Sequence, residues 1–456
     1  MPPKIALLLC SIFILLVFLN ERDRNNQLSW AILIPFLWYA IAASRPVGIW
    51  LHIWGITIPG ASDAIEGSSV DRWSLGLLTI AGVFILARRQ QHWSIIFREN
   101  FWVVLLFFFM LISSAWSDYP TVSVKRFIKS FGAAIMALVL LSEVKPMAAI
   151  SAVMRWCAYF HIPLSIITIK YFRHIGVSWD WQGGAASWVG IATSKNTLGQ
   201  IAAFSLIIFL YERFRSDSDK RFRIIDWAYV VMAIFILKGS DDAFSLTSIL
   251  VTLVGVAIFF LIKHIGNNIN KVRKVLAFSF VSIAFILTIL ISSVFSLRGG
   301  GSLLGDLFQS IGRDATLTGR SDIWLDVISI ASNHTLAGVG FGGFWIGKIV
   351  NIPWNEDMTW TLGQAHNGYL DVYLQLGVIG LVILVGVLIR CIQKISDMFS
   401  HNFNYGLVMT TFFIVICFVN ITESTFLRGE HALWMLFLVT ALGIPARPSQ
   451  IGTARL

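Results

Sequence analysis

Residues 365–391 read AHNGYLDVYLQLGVIGLVILVGVLIRC. Asn367-Gly368 is a turn signal, and the chain beyond it is apolar almost without break as far as Arg390. A helix needs about 20 predominantly apolar residues to cross the hydrocarbon core of a bilayer. This stretch is therefore a membrane span entered from a polar turn. Further apolar runs lie on both sides, at about 5–19, 28–43, 73–87, 101–116, 127–142, 148–169, 196–212, 224–238, 242–263, 275–297, 403–421 and 431–443. Together with 370–393 they predict twelve or thirteen spans.

Composition agrees. The chain is 56% hydrophobic and only 13% charged, where a soluble domain has about 25% charged residues; mean hydropathy is +0.74. Alternation with a period of two, the mark of a membrane β-barrel, is missing. The expected fold class is all-α, a polytopic integral membrane helical bundle. It divides into an N-terminal bundle of about ten spans (1–297), a long polar loop with short helices (298–369), and C-terminal membrane helices with a short tail (370–456). The first run follows Lys4 and looks like a signal peptide, but the ERDR after it is no small-residue cleavage site, so a retained helix is expected. The four cysteines (Cys10, Cys157, Cys391, Cys417) show no CxxC or metal spacing. The net charge of +10 sits in short loops between apolar runs. That pattern fits orientation and anionic lipid headgroups, not nucleic acid.

Lys/Arg bias in short loops sets the orientation. The loop 212–223 carries five Lys/Arg, the one at 263–274 four, and the one at 87–100 three; Arg390 and Lys394 mark another. All share one parity and are assigned to the cytoplasm. The loops 44–72, 117–126, 170–195, 239–241, 298–369 and 422–430 then face outward. The outward segments are rich in tryptophan (Trp50, Trp54, Trp73, Trp116, Trp179, Trp181, Trp188, Trp345, Trp354, Trp360). These read either as an interfacial aromatic belt or as platforms for sugar rings.

The candidates for chemistry lie in the outward loops. In LTGRSDIWLDVISIA (317–331), Ser321 can cap a helix whose apolar face is Ile323, Trp324, Val327, Ile328 and Ala331. Arg320 just before that N-terminus makes an anion site; the plainer reading pairs it with Asp322 or Asp326. His366 falls at the outer end of a span. It is either an interfacial histidine held by a carbonyl or a proton acceptor working near neutral pH. Lys195-Asn196 in ATSKNTLGQ opens another span, and Ser194 or Asn196 as a helix cap is the simpler account. Arg173 and His174 are weaker candidates, and Ser240–Asp242 reads as a turn. GVGFGGF (338–344) has no strand–helix context and suits a tight turn or a close approach to a ligand. No Walker, GxSxG or HExxH motif is present.

Taken in order, WSDYP (116–120), SKNTLG (194–199), GR…IW (319–324), GVGFGGF (338–344) and HNGYLDVYLQLGVIGL (366–381) resemble the bacterial O-antigen ligase and polymerase superfamily, most closely exopolysaccharide polymerases of the ExoQ type. The resemblance implies a metal-independent glycosyltransferase in the bacterial inner membrane, working at its periplasmic face without a cofactor. The donor would be an oligosaccharide on undecaprenyl diphosphate and the acceptor a saccharide. On this basis His366 and Arg320 are the implied catalytic pair. Lys195, Arg320 and Arg173 would hold the diphosphate, and Asn367, Asn196, Trp324 and Tyr369 would contact the acceptor sugar. Chain-length regulators and export proteins are implied partners. The competing readings are a ligase acting on lipid A core and a transporter of polar lipid or sugar. A transporter predicts symmetric repeats and mid-membrane charges.

Overall fold

The computed structural model describes residues 1–21, 28–60, 67–89, 91–179, 186–215, 220–240, 244–266, 268–296, 320–346 and 363–443; the side chains of 285–296, 320–322, 325 and 400 also lie outside the description. The helices are α1 (Pro3–Glu21), α2 (Leu33–Ala43), α3 (Val47–Ile53), α4 (Ser69–Arg88), α5 (Trp93–Glu99), α6 (Phe101–Ser113), α7 (Pro120–Leu141), α8 (Pro146–Tyr171) and α9 (Arg173–Gly176). They continue as α10 (Lys195–Phe214), α11 (Arg223–Lys238), α12 (Leu246–Ile265), α13 (Ile269–Ser296), α14 (Arg320–Ala331), α15 (Gly368–His401), α16 (Phe403–Thr422) and α17 (Ala432–Leu442). One antiparallel hairpin, β1 (Val177–Trp179) with β2 (Ala186–Trp188), and three short 3-10 helices (Trp30–Ile32, Lys220–Phe222 and Ser332–His334) complete the described elements.

The fold is thus all-helical, as expected. Among the described residues seven helices are long and apolar enough to cross a membrane, or nine if each of two bent pairs (Trp30–Ala43 with Val47–Ile53, and Trp93–Glu99 with Phe101–Ser113) counts as one span. Three of the twelve or thirteen apolar runs fall short for physical reasons. Helix α7 carries Lys125, Arg126 and Lys129 in its first half, α11 has 16 residues and α17 has 11. Helices α10 and α16 are buried along most of their length, whereas α1, α4 and α12 stay mostly exposed. Leu15, Ile80 and Leu253 are each more than half exposed. Apolar surface on that scale suits lipid, not water.

Contacts between helix ends sort the loops onto two sides. At one side Arg89 pairs with Glu143, Arg155 with Glu21 at 2.6 Å and with Glu212, and Arg390 with Glu99 at 2.6 Å. Arg89, Glu99, Glu212 and Arg390 belong to the loops assigned to the cytoplasm by charge. At the other side Asn196, Ser245, His366, Asn367, Glu423 and Ser424 meet.

Helix α15 does not run straight. Gly377 has φ 64° and ψ −162°, which breaks the helix within the span. A break at membrane depth strands backbone groups that water cannot reach, and the glycine-rich loop supplies the partners. Val339 N donates to Leu374 O (3.2 Å) and Gly340 N to Gln375 O (3.0 Å). Beyond the break, Val378 N donates to Thr335 O (2.9 Å) and Ile379 N to Leu336 O (3.1 Å). Such contact requires glycine on both sides: a Cβ on Gly338 would stand 2.3 Å from the Gln375 carbonyl carbon, and one on Gly377 2.4 Å from that of Leu336. A tight turn or an approach to a ligand was expected of GVGFGGF; the approach that the structure shows is to the protein's own backbone. The same loop packs on WSDYP, where a Cβ on Gly343 would meet Ser117 Oγ at 2.4 Å.

Candidate active site

Asn367 is the N-cap of α15, its Oδ1 accepting from Tyr369 N (3.1 Å) and Leu370 N (3.0 Å). Its own N–H donates to Ser424 Oγ at 3.1 Å, which ties the start of α15 to the end of α16. His366, one residue earlier, adopts φ 50°. A left-handed backbone costs a non-glycine residue about 1–2 kcal/mol, and such strain persists only where the surroundings enforce it. Here Asp371 Oδ1 accepts from Ala365 N (3.2 Å) and from Trp345 Nε1 (2.9 Å), pinning the chain on one side of the histidine, while Asn367 pins the other.

The imidazole of His366 faces a carboxylate. Its Nδ1 lies 3.3 Å from Oε2 of Glu423, whose side chain is 7% exposed against 26% for the histidine. Glu423 Oε1 accepts from Asn196 Nδ2 at 2.6 Å, and Asn196 Oδ1 accepts from Ser245 Oγ at 2.8 Å. Four side chains from the ends of α10, α12, α15 and α16 thus form one chain of hydrogen bonds. Gln364 Nε2 also stands 3.4 Å from Nδ1; its Oε1 accepts from Arg428 Nη1 at 2.8 Å.

Cations line the neighbouring rim. Arg428 Nε is 3.7 Å from Glu430 Oε1, and Arg126 Nη1 donates to Gly342 O at 2.7 Å. The side chain of Glu430 is half exposed, and the nearby Arg428, Lys129 and Arg126 hold its carboxyl well below the usual carboxylate range, at about 2. Enclosure pushes the His431 imidazole down to about 4, with Arg428 adding to the effect, so near neutral pH His431 is uncharged. Its Nδ1 accepts from Leu433 N at 3.2 Å and caps α17.

Helix α14 approaches from the opposite flank. Ile323, Trp324, Val327 and Ala331 are buried, as the helical spacing predicts. Trp324 Nε1 donates to Ala365 O at 2.7 Å, directly beside His366. Helix α14 spans Arg320–Ala331, so Ser321 lies within it; its side chain lies outside the described residues. The Arg320 side chain lies outside the described residues. Next to Trp324 and Asn367 an apolar cavity of about 460 Å³ opens between α13, α14, α15 and α16, lined by Phe280, Tyr373, Leu384 and Phe413 among others.

The structure therefore brings together His366, Asn367, Asn196, Trp324 and Tyr369. The Tyr369 hydroxyl donates to Cys417 O at 3.0 Å. Lys195 is the first residue of α10, adjoining Asn196, and Ser194 caps that helix through Thr197 N, as expected. Arg173 lies elsewhere on the outer side, its guanidinium 5.3 Å from the Trp179 ring. Of the outward tryptophans, Trp54, Trp73 and Trp179 are well exposed, but Trp345 is buried against Asp371. Trp181, Trp354, Trp360, Asp241, Asp242 and the tail after Gly443 lie outside the described residues. Sequence reading missed Glu423, Gln364, Arg428 and Asp371. The local signal for Glu423 and Arg428 was that three charged residues, with Glu430, crowd one short outward turn; Gln364 and Asp371 gave none. Among the described residues no group of three or more His, Cys, Asp or Glu is placed to hold a metal ion, and the four cysteines are buried and unpaired.

Residues 227–385 match the O-antigen ligase family. The chain is also 24% identical over 293 residues to the exopolysaccharide production protein ExoQ of Rhizobium meliloti (strain 1021), an alignment covering 63% of each chain. The chain thus spans under two thirds of the length of the curated relative it matches.

Proposed function

We propose that this multi-pass membrane protein, which carries the O-antigen ligase family match and is a distant homologue of ExoQ, joins oligosaccharide units carried on undecaprenyl diphosphate into a polysaccharide at the outer face of the bacterial inner membrane. The observation that carries the reading is the placement of His366. It stands where the loops assigned outward meet, its Nδ1 facing a buried carboxylate, while the adjoining Asn367 lines an apolar cavity of about 460 Å³. A lipid-linked substrate has the same two parts, an apolar tail and a polar reacting head.

In the proposed reaction a hydroxyl oxygen of the acceptor sugar attacks the anomeric carbon of the donor. The bond from that carbon to the diphosphate oxygen breaks, and the electron pair leaves with the lipid diphosphate. The hydroxyl proton passes to His366, acting as general base. Negative charge growing on the leaving group needs nearby cations. Arg320, at the first described residue of α14, and Lys195, at the N-terminus of α10, are assigned to it. Attack opposite the leaving group gives inversion in one step.

The test supplies purified protein in lipid nanodiscs with an undecaprenyl-diphosphate oligosaccharide and follows chain length, with and without chelator. Elongation that persists in chelator is expected. Replacing His366 with alanine should slow it by about 10²–10⁴, the usual worth of a general base. A wild-type protein that never lengthens the chain, or an alanine variant that works at normal rate, refutes the reading. Polysaccharide transferred to lipid A core instead of onto another lipid-linked unit would identify a ligase.

A further inference from the structure

We propose that Glu423 is the positioning residue that turns His366 into a base: it holds the imidazole proton on Nδ1 so that Nε2 presents its lone pair to the acceptor. The inference rests on the function proposed above.

The neighbours of Nδ1 make opposite demands. Glu423 Oε2, at 3.3 Å, accepts and favours a proton on Nδ1. Gln364 Nε2, at 3.4 Å, donates and favours a bare Nδ1. Gln364 is not free to turn round, because Arg428 Nη1 occupies its oxygen at 2.8 Å. The carboxylate prevails, since a hydrogen bond to an ionised group is about twice as strong as a neutral one. A bond at one imidazole nitrogen settles which tautomer the ring adopts and how it is aimed. Once His366 takes the acceptor's proton on Nε2, both nitrogens carry hydrogen, and the buried carboxylate offsets the new charge.

The carboxylate is itself oriented. Asn196 Nδ2 donates to Oε1 at 2.6 Å, and in this orientation Asn196 Oδ1 accepts from the Ser245 hydroxyl at 2.8 Å. This orientation predicts an unusual order of variants. With Asn196 kept as it stands, the amide of Glu423→Gln turns its oxygen to Asn196 and its NH2 to Nδ1. The nearly isosteric change therefore installs a second donor where an acceptor is required and drives the proton to Nε2. In Glu423→Ala no such donor exists.

Four proteins decide the matter in the elongation assay: wild type and Glu423→Gln, →Ala and →Asp. The expected result is a fall of about 10²-fold in kcat for Glu423→Gln, with KM for the lipid-linked donor changed less than about threefold. Glu423→Ala should be equal or faster, and Glu423→Asp should recover part of the activity. Nitrogen chemical shifts of ¹⁵N-histidine-labelled protein should move the His366 proton from Nδ1 in wild type to Nε2 in Glu423→Gln. A role in packing alone predicts the reverse order, with glutamine tolerated and alanine worst. That order, or a Glu423→Gln protein within threefold of wild type, overturns the proposal. Should Glu423→Gln fail to fold, Glu423→Asp against Glu423→Ala decides: equal kcat in the two refutes the role of the charge. An inactive wild type sinks the proposed function instead; an active wild type with inactive His366→Ala and active Glu423→Gln sinks this inference alone.

Discussion

One missing methyl group holds the histidine where it is. A Cβ on Gly368 would stand 1.9 Å from Asn420 Oδ1. That oxygen accepts from Thr425 N (2.9 Å) and Phe426 N (3.0 Å) and so shapes the turn carrying Glu423 and Ser424. Gly368→Ala should therefore displace both halves of the His366–Glu423 pair. We expect a loss of about 1–3 kcal/mol, the usual cost of overpacking, and at least a tenfold drop in elongation rate; a variant with unchanged melting and turnover would contradict this. Local chemistry made much of this scale readable in advance. Asn-Gly marked the turn before a span, Ser194 marked a cap, and Trp324 lay on a helical stripe. Glu423 and Arg428 were hidden because 57 or more residues of chain separate them from the groups they meet. Spacing along a sequence carries no information about such pairs.

Among the elements, α15 and the loop 335–342 form one unit. The hydropathy of 370–393 identified a span but could not show a break inside it, because Gly377 looks like any small residue of a membrane helix. The loop's glycines did announce a close approach; which surface they approach depends on tertiary packing. Either Gly338→Ala or Gly377→Ala forces a side chain into a left-handed backbone position and against a facing carbonyl. The conformational part alone costs about 1–2 kcal/mol. Thermal unfolding in detergent should show clear destabilisation for each. Alanine at Gly76, where a Cβ meets nothing within 4 Å, is the matched control and should leave stability unchanged. Equal melting for all three would refute the account of the broken helix.

Over the whole molecule, composition was enough for the fold class and Lys/Arg parity for grouping the loops. What neither shows is how the cytoplasmic-parity side is fastened. Arg155, 2% exposed, sits between Glu21 and Glu212 and joins α1, α8 and α10. Removing one partner of a buried ion cluster strands the remaining charges and costs about 3–5 kcal/mol. Arg155→Met should accordingly destabilise the bundle strongly, and α1, mostly lipid-facing, should detach first. Protease accessibility of an α1 tag, compared with wild type, would show it; a variant as stable as wild type would discount the cluster as a fastening.

The interrupted span also constrains how the protein is made. A ribosome completes residues 335–342 before it begins α15, so their amides emerge with no carbonyls to receive them. The partners arrive about forty residues later, in a segment bound for the lipid. Threading that segment into the bilayer and settling the upstream loop must consequently be one coupled event of biogenesis, and a nascent chain halted before Leu374 has neither.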